Sequence, residues 1–161
     1  DRLIESYANS NLPQKKIHLV ILGTGEEQDK LEKKILDLKI ETKVHLFGFK
    51  ENVWDYISNA KFSVLSSQYE GFPMTILESL SLGIPVISFD CESGPNEMII
   101  NNHNGILVEN QNFTELTHKM NIFVEDEILY QNCKNNSVSS VAKFQSEVVV
   151  NQWLQMLNYG N

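Results

Sequence analysis

"SSQYEGFPMTILESLSLGIPVIS", residues 66 to 88, decides how this chain reads. Glu70 is followed by Gly71, Phe72 and Pro73, and a helical pattern from Pro73 to Gly83 carries a second carboxylate, Glu78. Pro73 has no N–H to lose and suits a first helical position. Phe72 then stands at the cap and offers no oxygen to the N–H groups of Met74, Thr75 and Ile76. A buried helix start without partners needs another acceptor. Water, Ser66 or Ser67 would serve, and so would a bound anion held by backbone N–H groups and the helix dipole. Gly71 would let such an anion approach closely.

Working outward, apolar runs of strand length recur at 17–23, 43–49, 61–67, 84–90 and 105–109. They show little polar alternation, as buried parallel strands do when helices cover both sheet faces. Helical patterns alternate with them at 26–40, 52–60, 73–83 and 94–102, the last repeating the Pro start. This order predicts an α/β, Rossmann-like, doubly wound parallel sheet flanked by helices. Ligands in such sheets sit beyond the carboxyl ends of the strands. The turns of interest are therefore 23–26, 47–52, 66–73 and 89–95. After residue 110 the pattern is all helical, with 134–143 read as a loop or frayed helix end. No linker or repeat divides residues 1–161, which read as one domain.

Composition narrows the function. The chain has 161 residues, net charge -8 and only one arginine, Arg2. An acidic surface repels phosphate backbones and anionic lipid, so neither nucleic acid nor membrane is an expected partner. No apolar run is long enough to span a bilayer, and the first residues lack a signal-peptide pattern. A cytoplasmic location is expected. Cys91 and Cys133 are read as free thiols, and the scattered histidines and cysteines predict no metal.

Two candidate sites emerge. "LGTGEEQ" has a Gly-x-Gly after a strand, but Gln28 stands where a dinucleotide fingerprint needs its third glycine. Glu26 and Glu27 would also repel a phosphate there, so Gly23 and Gly25 are read as turn residues. The second site is the opening stretch. Glu78 lies on the same side of its helix as Met74 and Thr75. Were a diphosphate held at the helix start, Glu78 could accept hydrogen bonds from a ribose diol and Glu70 could face a sugar on the other side. The residues alone leave open that Glu78 is a helix-surface charge and Glu70 a loop charge. A glycosidase-like acid/base pair fits less well, with one member well inside a helix.

The stretch resembles the signature of retaining glycosyltransferases of the GT-B fold, family four, in which a Glu, seven residues and a second Glu recur. The likeness extends through "VILGTGEEQDKLE", "VHLFGFKENVWDYISNAKFSVLSS", "SGPNEMI" and "NHNGILVEN", roughly residues 1 to 125. It implies the donor-binding, C-terminal half of a two-domain enzyme that moves a sugar from a nucleotide diphosphate sugar to an acceptor hydroxyl, commonly in polysaccharide or glycolipid assembly. By this resemblance Glu70 is the catalytic-site residue that contacts donor-sugar hydroxyls, in an orienting rather than nucleophilic role, and Glu78 contacts the ribose. Gly71, Phe72, Met74 and Thr75 would contact sugar and diphosphate through their N–H groups, and Phe49 and Lys50 would border the base. No cofactor is implied; the donor would be a UDP-sugar rather than a GDP-sugar.

The departures carry expectations of their own. The family's diphosphate-clamping Arg and Lys lie in a first strand and turn, and Arg2 does not match them. The chain is thus expected to begin one strand late, without the N-terminal acceptor domain, and to be inactive alone. That strand is central in the family, so the other five would leave a gap or close up. The final helix, with Trp153, Leu154 and Leu157, would pack on the domain or expose an apolar stripe. The rival is a non-catalytic nucleotide- or phosphosugar-binding module of the same fold.

Overall fold

The computed structural model describes residues 1–158. Five strands and eight α-helices follow the expected order among them. The strands are β1 (Leu19–Leu22), β2 (Val44–Gly48), β3 (Ser63–Leu65), β4 (Val86–Asp90) and β5 (Gly105–Glu109). Helix α1 (Arg2–Ala8) precedes them. Helices α2 (Gln28–Asp37), α3 (Val53–Ser58), α4 (Met74–Ser81) and α5 (Pro95–Met98) connect them, and α6 (Phe113–Glu125), α7 (Glu127–Ser140) and α8 (Ser146–Asn158) follow. All strand pairs are parallel.

The sheet is broken. β1 pairs only with β2, while β3, β4 and β5 form a separate three-stranded sheet in that order. Of the two outcomes left open for five strands, the structure adopts the gap.

β4 is the best-buried strand, and its alternation explains why. Ile87 and Phe89 point into a core shared with Ile4 and Tyr7 of α1 and with Leu116, Met120 and Phe123 of α6. Val86 points the other way, into a cluster with Ile76 and Leu80 of α4 and Met98 of α5. Period-two alternation with apolar neighbours on both faces is what a continuous run such as "PVISF" encodes. Each such fully buried side chain contributes about 1.5–3 kcal/mol by burial.

β1 and β2 do not share that environment. Val20 and Phe47 are exposed. His18, His45, Phe47 and Tyr56 form a run of ring contacts, at 5.1, 5.6 and 5.7 Å between centroids. The expectation of strands buried on both faces is therefore corrected for this half of the sheet.

Two further outcomes concern the helical end. Of the two readings of 134–143, loop or frayed helix end, the loop is excluded for residues 134–140, which continue α7. Their polar composition left both open because only a narrow stripe of that helix is buried. Cys133 and Ser137 lie on it, and the Ser137 hydroxyl is satisfied by the Cys133 carbonyl, 2.8 Å away. Ser140 Oγ accepts from the amide of buried Asn104, 2.7 Å away, which also donates to the Met98 carbonyl and so fastens α7 to the turn before β5. In α8, Trp153, Leu154 and Leu157 are exposed, so the apolar-stripe alternative holds.

Tyr7 ties α1 to the sheet. Its hydroxyl donates to the carbonyls of Ile17 and Lys43, at 2.8 and 3.3 Å, at the amino ends of β1 and β2. Burial pushes its pKa up to about 12.

Candidate functional site

The carboxyl ends of β3 and β4 open onto two turns, 66–73 and 91–94. The first leads into α4. Its helix begins at Met74, with Pro73 at the cap in extended backbone (φ -72°, ψ 91°), one residue later than the sequence suggested. Pro73 rather than Phe72 is thus the uncapped cap residue. The shift matters chemically, because the Ile76 N–H is taken by the Pro73 carbonyl at 3.0 Å. The N–H groups of Met74 and Thr75 remain. No side chain caps the helix, so neither Ser66 nor Ser67 fills that role.

Gly71, Phe72, Met74 and Thr75 are exposed around this helix start, while Glu70 and Glu78 are half-buried and Pro73 is buried beneath them. The site therefore presents two unengaged N–H donors at the positive end of a helix, with a carboxylate on either side in sequence. Donors there suit an anion. Carboxylates suit hydroxyl donors.

The turn is held rigidly from below. Ser93 Oγ donates to the Glu70 carbonyl at 2.6 Å. Gly94 packs directly beneath: a Cβ on it would lie 2.5 Å from Pro73 Cδ and 2.8 Å from the Gly71 carbonyl oxygen, and its φ of +95° already favours glycine. Asn110, just past β5, donates its amide to the Gln68 carbonyl at 3.1 Å. Within α4, the Ser79 hydroxyl bonds the Thr75 carbonyl at 2.8 Å and Ser63 Oγ at 2.9 Å, locking the first turn of the helix to β3. Cys91 lies buried nearby; burial, and secondarily the Glu70 carboxylate, raises its thiol pKa.

Sequence reasoning missed Ser93, Gly94 and Asn110. The signal was present, because they follow β4 and β5, the next strands along the same sheet as β3. Phe144 was missed as well, and its edge-on contact with Phe72 at 5.6 Å comes from a distant helical segment with no local signal.

Phe49 and Lys50 sit apart, at the carboxyl end of β2 in the other sheet. Phe49 is 73% exposed, and the Lys50 ammonium lies 5.9 Å from the centre of the Phe47 ring. Among the described residues no hydrogen bond, ion pair or ring contact joins them to the Glu70 turn. Gly23 makes a turn at φ +108°, its N–H donating to the Gly48 carbonyl at 2.8 Å, and Glu27 stands at the cap of α2. Arg2 lies over the Phe113 ring, 3.9 Å from its centre, and is spent on packing α1 against α6. Among the described residues no group of three His, Cys, Asp or Glu gathers as a metal site would require.

With the fold and this turn in view, comparison with known proteins is direct. The sequence profile of "Glycosyl transferases group 1" matches residues 1–139. The chain belongs to this glycosyl transferase family.

Among relatives of this chain, the poly(ribitol-phosphate) alpha-N-acetylglucosaminyltransferase of Staphylococcus aureus is 30% identical over 86% of the chain. The N-acetylgalactosamine-N,N'-diacetylbacillosaminyl-diphospho-undecaprenol 4-alpha-N-acetylgalactosaminyltransferase of Campylobacter jejuni is 32% identical over 96% of it. The chain spans only 28% and 42% of those two proteins. Among solved structures, an S. aureus TarM variant in complex with Fondaparinux, alpha-GlcNAc-glycerol and UDP matches with a TM-score of 0.89 at 29% identity, over 98% of this chain and 32% of TarM. The C-terminal domain of a Francisella tularensis group 1 glycosyl transferase shares the fold at 22% identity (TM-score 0.78), over 88% of this chain and 76% of that domain. Among the described residues no helix is long and apolar enough to cross a membrane.

Proposed function

We propose that residues 1–161 form the nucleotide-sugar-binding domain of a retaining glycosyltransferase, which moves a sugar from a nucleotide diphosphate sugar to an acceptor hydroxyl. The observation that carries the reading is the start of α4: two N–H groups with no side-chain cap, on a turn braced by Ser93 and Gly94, next to Glu70 and Glu78. The diphosphate lies against the Met74 and Thr75 N–H groups, where the helix dipole stabilises the charge that develops on the leaving group. Gly71 and Phe72 line its sugar side. Glu78 accepts from the ribose diol, and Glu70 orients the sugar hydroxyls, a positioning role that brings the anomeric carbon into line. Phe49 and Lys50 border the base across the gap in the sheet.

A UDP-sugar is the preferred donor, which the UDP in the TarM complex supports. Acceptors in polysaccharide or glycolipid assembly agree with the names of the two relatives above. A cytoplasmic setting agrees with Cys91 and Cys133 being unpaired. Acceptor binding belongs to a partner domain of the same enzyme.

Steady-state kinetics on the full-length enzyme test the two carboxylates. Glu70→Ala lowers kcat by a factor of at least ~100, the scale of lost substrate orientation, with nucleotide affinity nearly kept. Glu78→Ala weakens nucleotide binding by about tenfold, the scale of a lost charge-assisted hydrogen bond. Wild-type kinetics in both variants would refute the assignment.

A further inference from the structure

Helix α4 starts without a side-chain cap, so the way the chain enters it aims its first N–H groups. Many helices fix that entry with a hydrophobic staple, in which the residue before the cap packs against the fourth residue of the helix. With Pro73 at the cap, those two residues are Phe72 and Leu77. Leu77 packs against the cluster of Ile76, Leu80 and Val86. Phe72 meets Phe144 edge-on, with 5.6 Å between ring centres and 75° between planes. Phe144 packs against the same cluster as Leu77. The staple of α4 is thus closed by a ring from the far end of the chain.

Phe144 can bear on the turn because its own segment is fastened. It ends a single 3-10 turn, Ala142–Phe144, that follows α7. Val141, just before, is buried in the cluster. Lys143 donates to the Glu97 carbonyl of α5 at 2.9 Å, and its ammonium lies 4.8 Å from the centre of the Phe144 ring. The bond between Ser140 and Asn104 ties the end of α7 to the turn before β5. Gly94 supports Pro73 from below. Phe144 supports the residue before it from the side. Phe72 is 46% exposed, so without Phe144 its ring is free to turn further into solvent, and the Phe72–Pro73 peptide with it. An edge-on ring contact contributes beyond the area it buries and depends on the angle between the rings. An aliphatic side chain of similar size fills the space beside Phe72 without holding that angle.

We propose that Phe144 is a positioning residue for the donor site. By closing the staple on Phe72 it fixes how the chain enters α4, and so where the Met74 and Thr75 N–H groups point. This rests on the reading of the α4 start as the diphosphate site. Phe144 acts there only through Phe72, and its part is to keep two donors aimed at one anion before the anion arrives.

Isothermal titration of UDP into the protein carrying its natural flanking sequence tests this, with thermal unfolding of each variant fixing a temperature at which all are folded. Phe144→Ala weakens UDP binding about fivefold, the scale of one aromatic edge contact. Phe144→Leu refills the cluster and recovers most of the thermal stability, yet binds UDP as weakly as Phe144→Ala. Phe144→Tyr, which keeps the ring, restores the affinity. Equal UDP affinity in the wild-type protein and Phe144→Ala overturns the positioning role and leaves the donor-site reading standing. Full recovery of affinity in Phe144→Leu overturns it as well, because packing volume alone would then suffice. A wild-type protein that binds no UDP overturns the donor-site reading and this proposal together.

Discussion

The two halves of the sheet are each built of parallel strands with flanking helices, yet they differ in how firmly they are held. β4 has a paired strand on each side and apolar clusters on both faces. β1 has a partner on one side and the gap on the other, with Val20 41% exposed. The candidate chemistry divides the same way. Glu70, Glu78 and the start of α4 rest on the firm half and are braced by Ser93, Gly94 and Asn110. Phe49 and Lys50 ride on the open half. A diphosphate demands fixed donors, whereas a base border can be completed by packing around a ligand.

Core truncation probes that contrast most strongly. Ile87→Ala, at a position with no exposure, lowers stability by about 4 kcal/mol, the range for large-to-small changes in a packed core. Val20→Ala in the same chain costs no more than about 0.5 kcal/mol, as surface changes do. Denaturant unfolding measures both, and equal losses would erase the distinction between the halves.

Glycines sharpen it. A Cβ at Gly105 would sit 2.3 Å from the Val86 carbonyl oxygen, so Gly105→Ala forces β4 and β5 apart and costs about 3 kcal/mol. Gly23 has nothing within 4 Å, so Gly23→Ala carries only the strain of its φ of +108°, about 1 kcal/mol. Thermal unfolding of the pair gives the comparison directly.

Ser93→Ala removes the hydrogen bond beneath Glu70 at a cost of about 1 kcal/mol. Its informative readout is nucleotide affinity. Weakened binding with little loss of stability shows that the brace serves the site, and unchanged binding shows that the turn keeps its shape unaided.

The last contrast is alkaline. Burial raises Cys133 from 9.0 to about 11 and Tyr7 from 10.0 to about 12. Both groups are neutral when protonated and favour the folded state in that form. The stability these two groups contribute is therefore level below pH 9.0, declines from there to about 11 as Cys133 ionises in the unfolded chain, and declines further between 10.0 and about 12 through Tyr7. Tyr7→Phe removes the Tyr7 share of that decline and leaves the separate share of Tyr130, whose pKa burial also raises, measured as the denaturation midpoint against pH.

The strands were legible because apolar runs bounded by Gly, Pro and polar turns leave few other readings, and β4 was the clearest for its burial on both faces. The break between β1 and β3 could not be read from the five runs, because each looks the same whether or not a neighbour is present. Only the end of polar α7, from residue 134, was left between loop and frayed helix end, since its buried stripe is only Tyr130, Cys133 and Ser137. At the site, Glu70 and Glu78 announced themselves by type and spacing. The cap position was misplaced by one residue, because Phe72-Pro73 offers no capping side chain to mark it. Ser93 and Gly94 act on the turn through space, and only the order β3-β4-β5 brings them there.

The account stands or falls on whether the start of α4 holds a nucleotide diphosphate. Isothermal titration of UDP into the full-length protein and its Glu78→Ala variant measures this most directly. The account predicts saturable binding at one site, weakened about tenfold in the variant, the scale of one charge-assisted hydrogen bond. No binding, or equal affinity in both proteins, would contradict it.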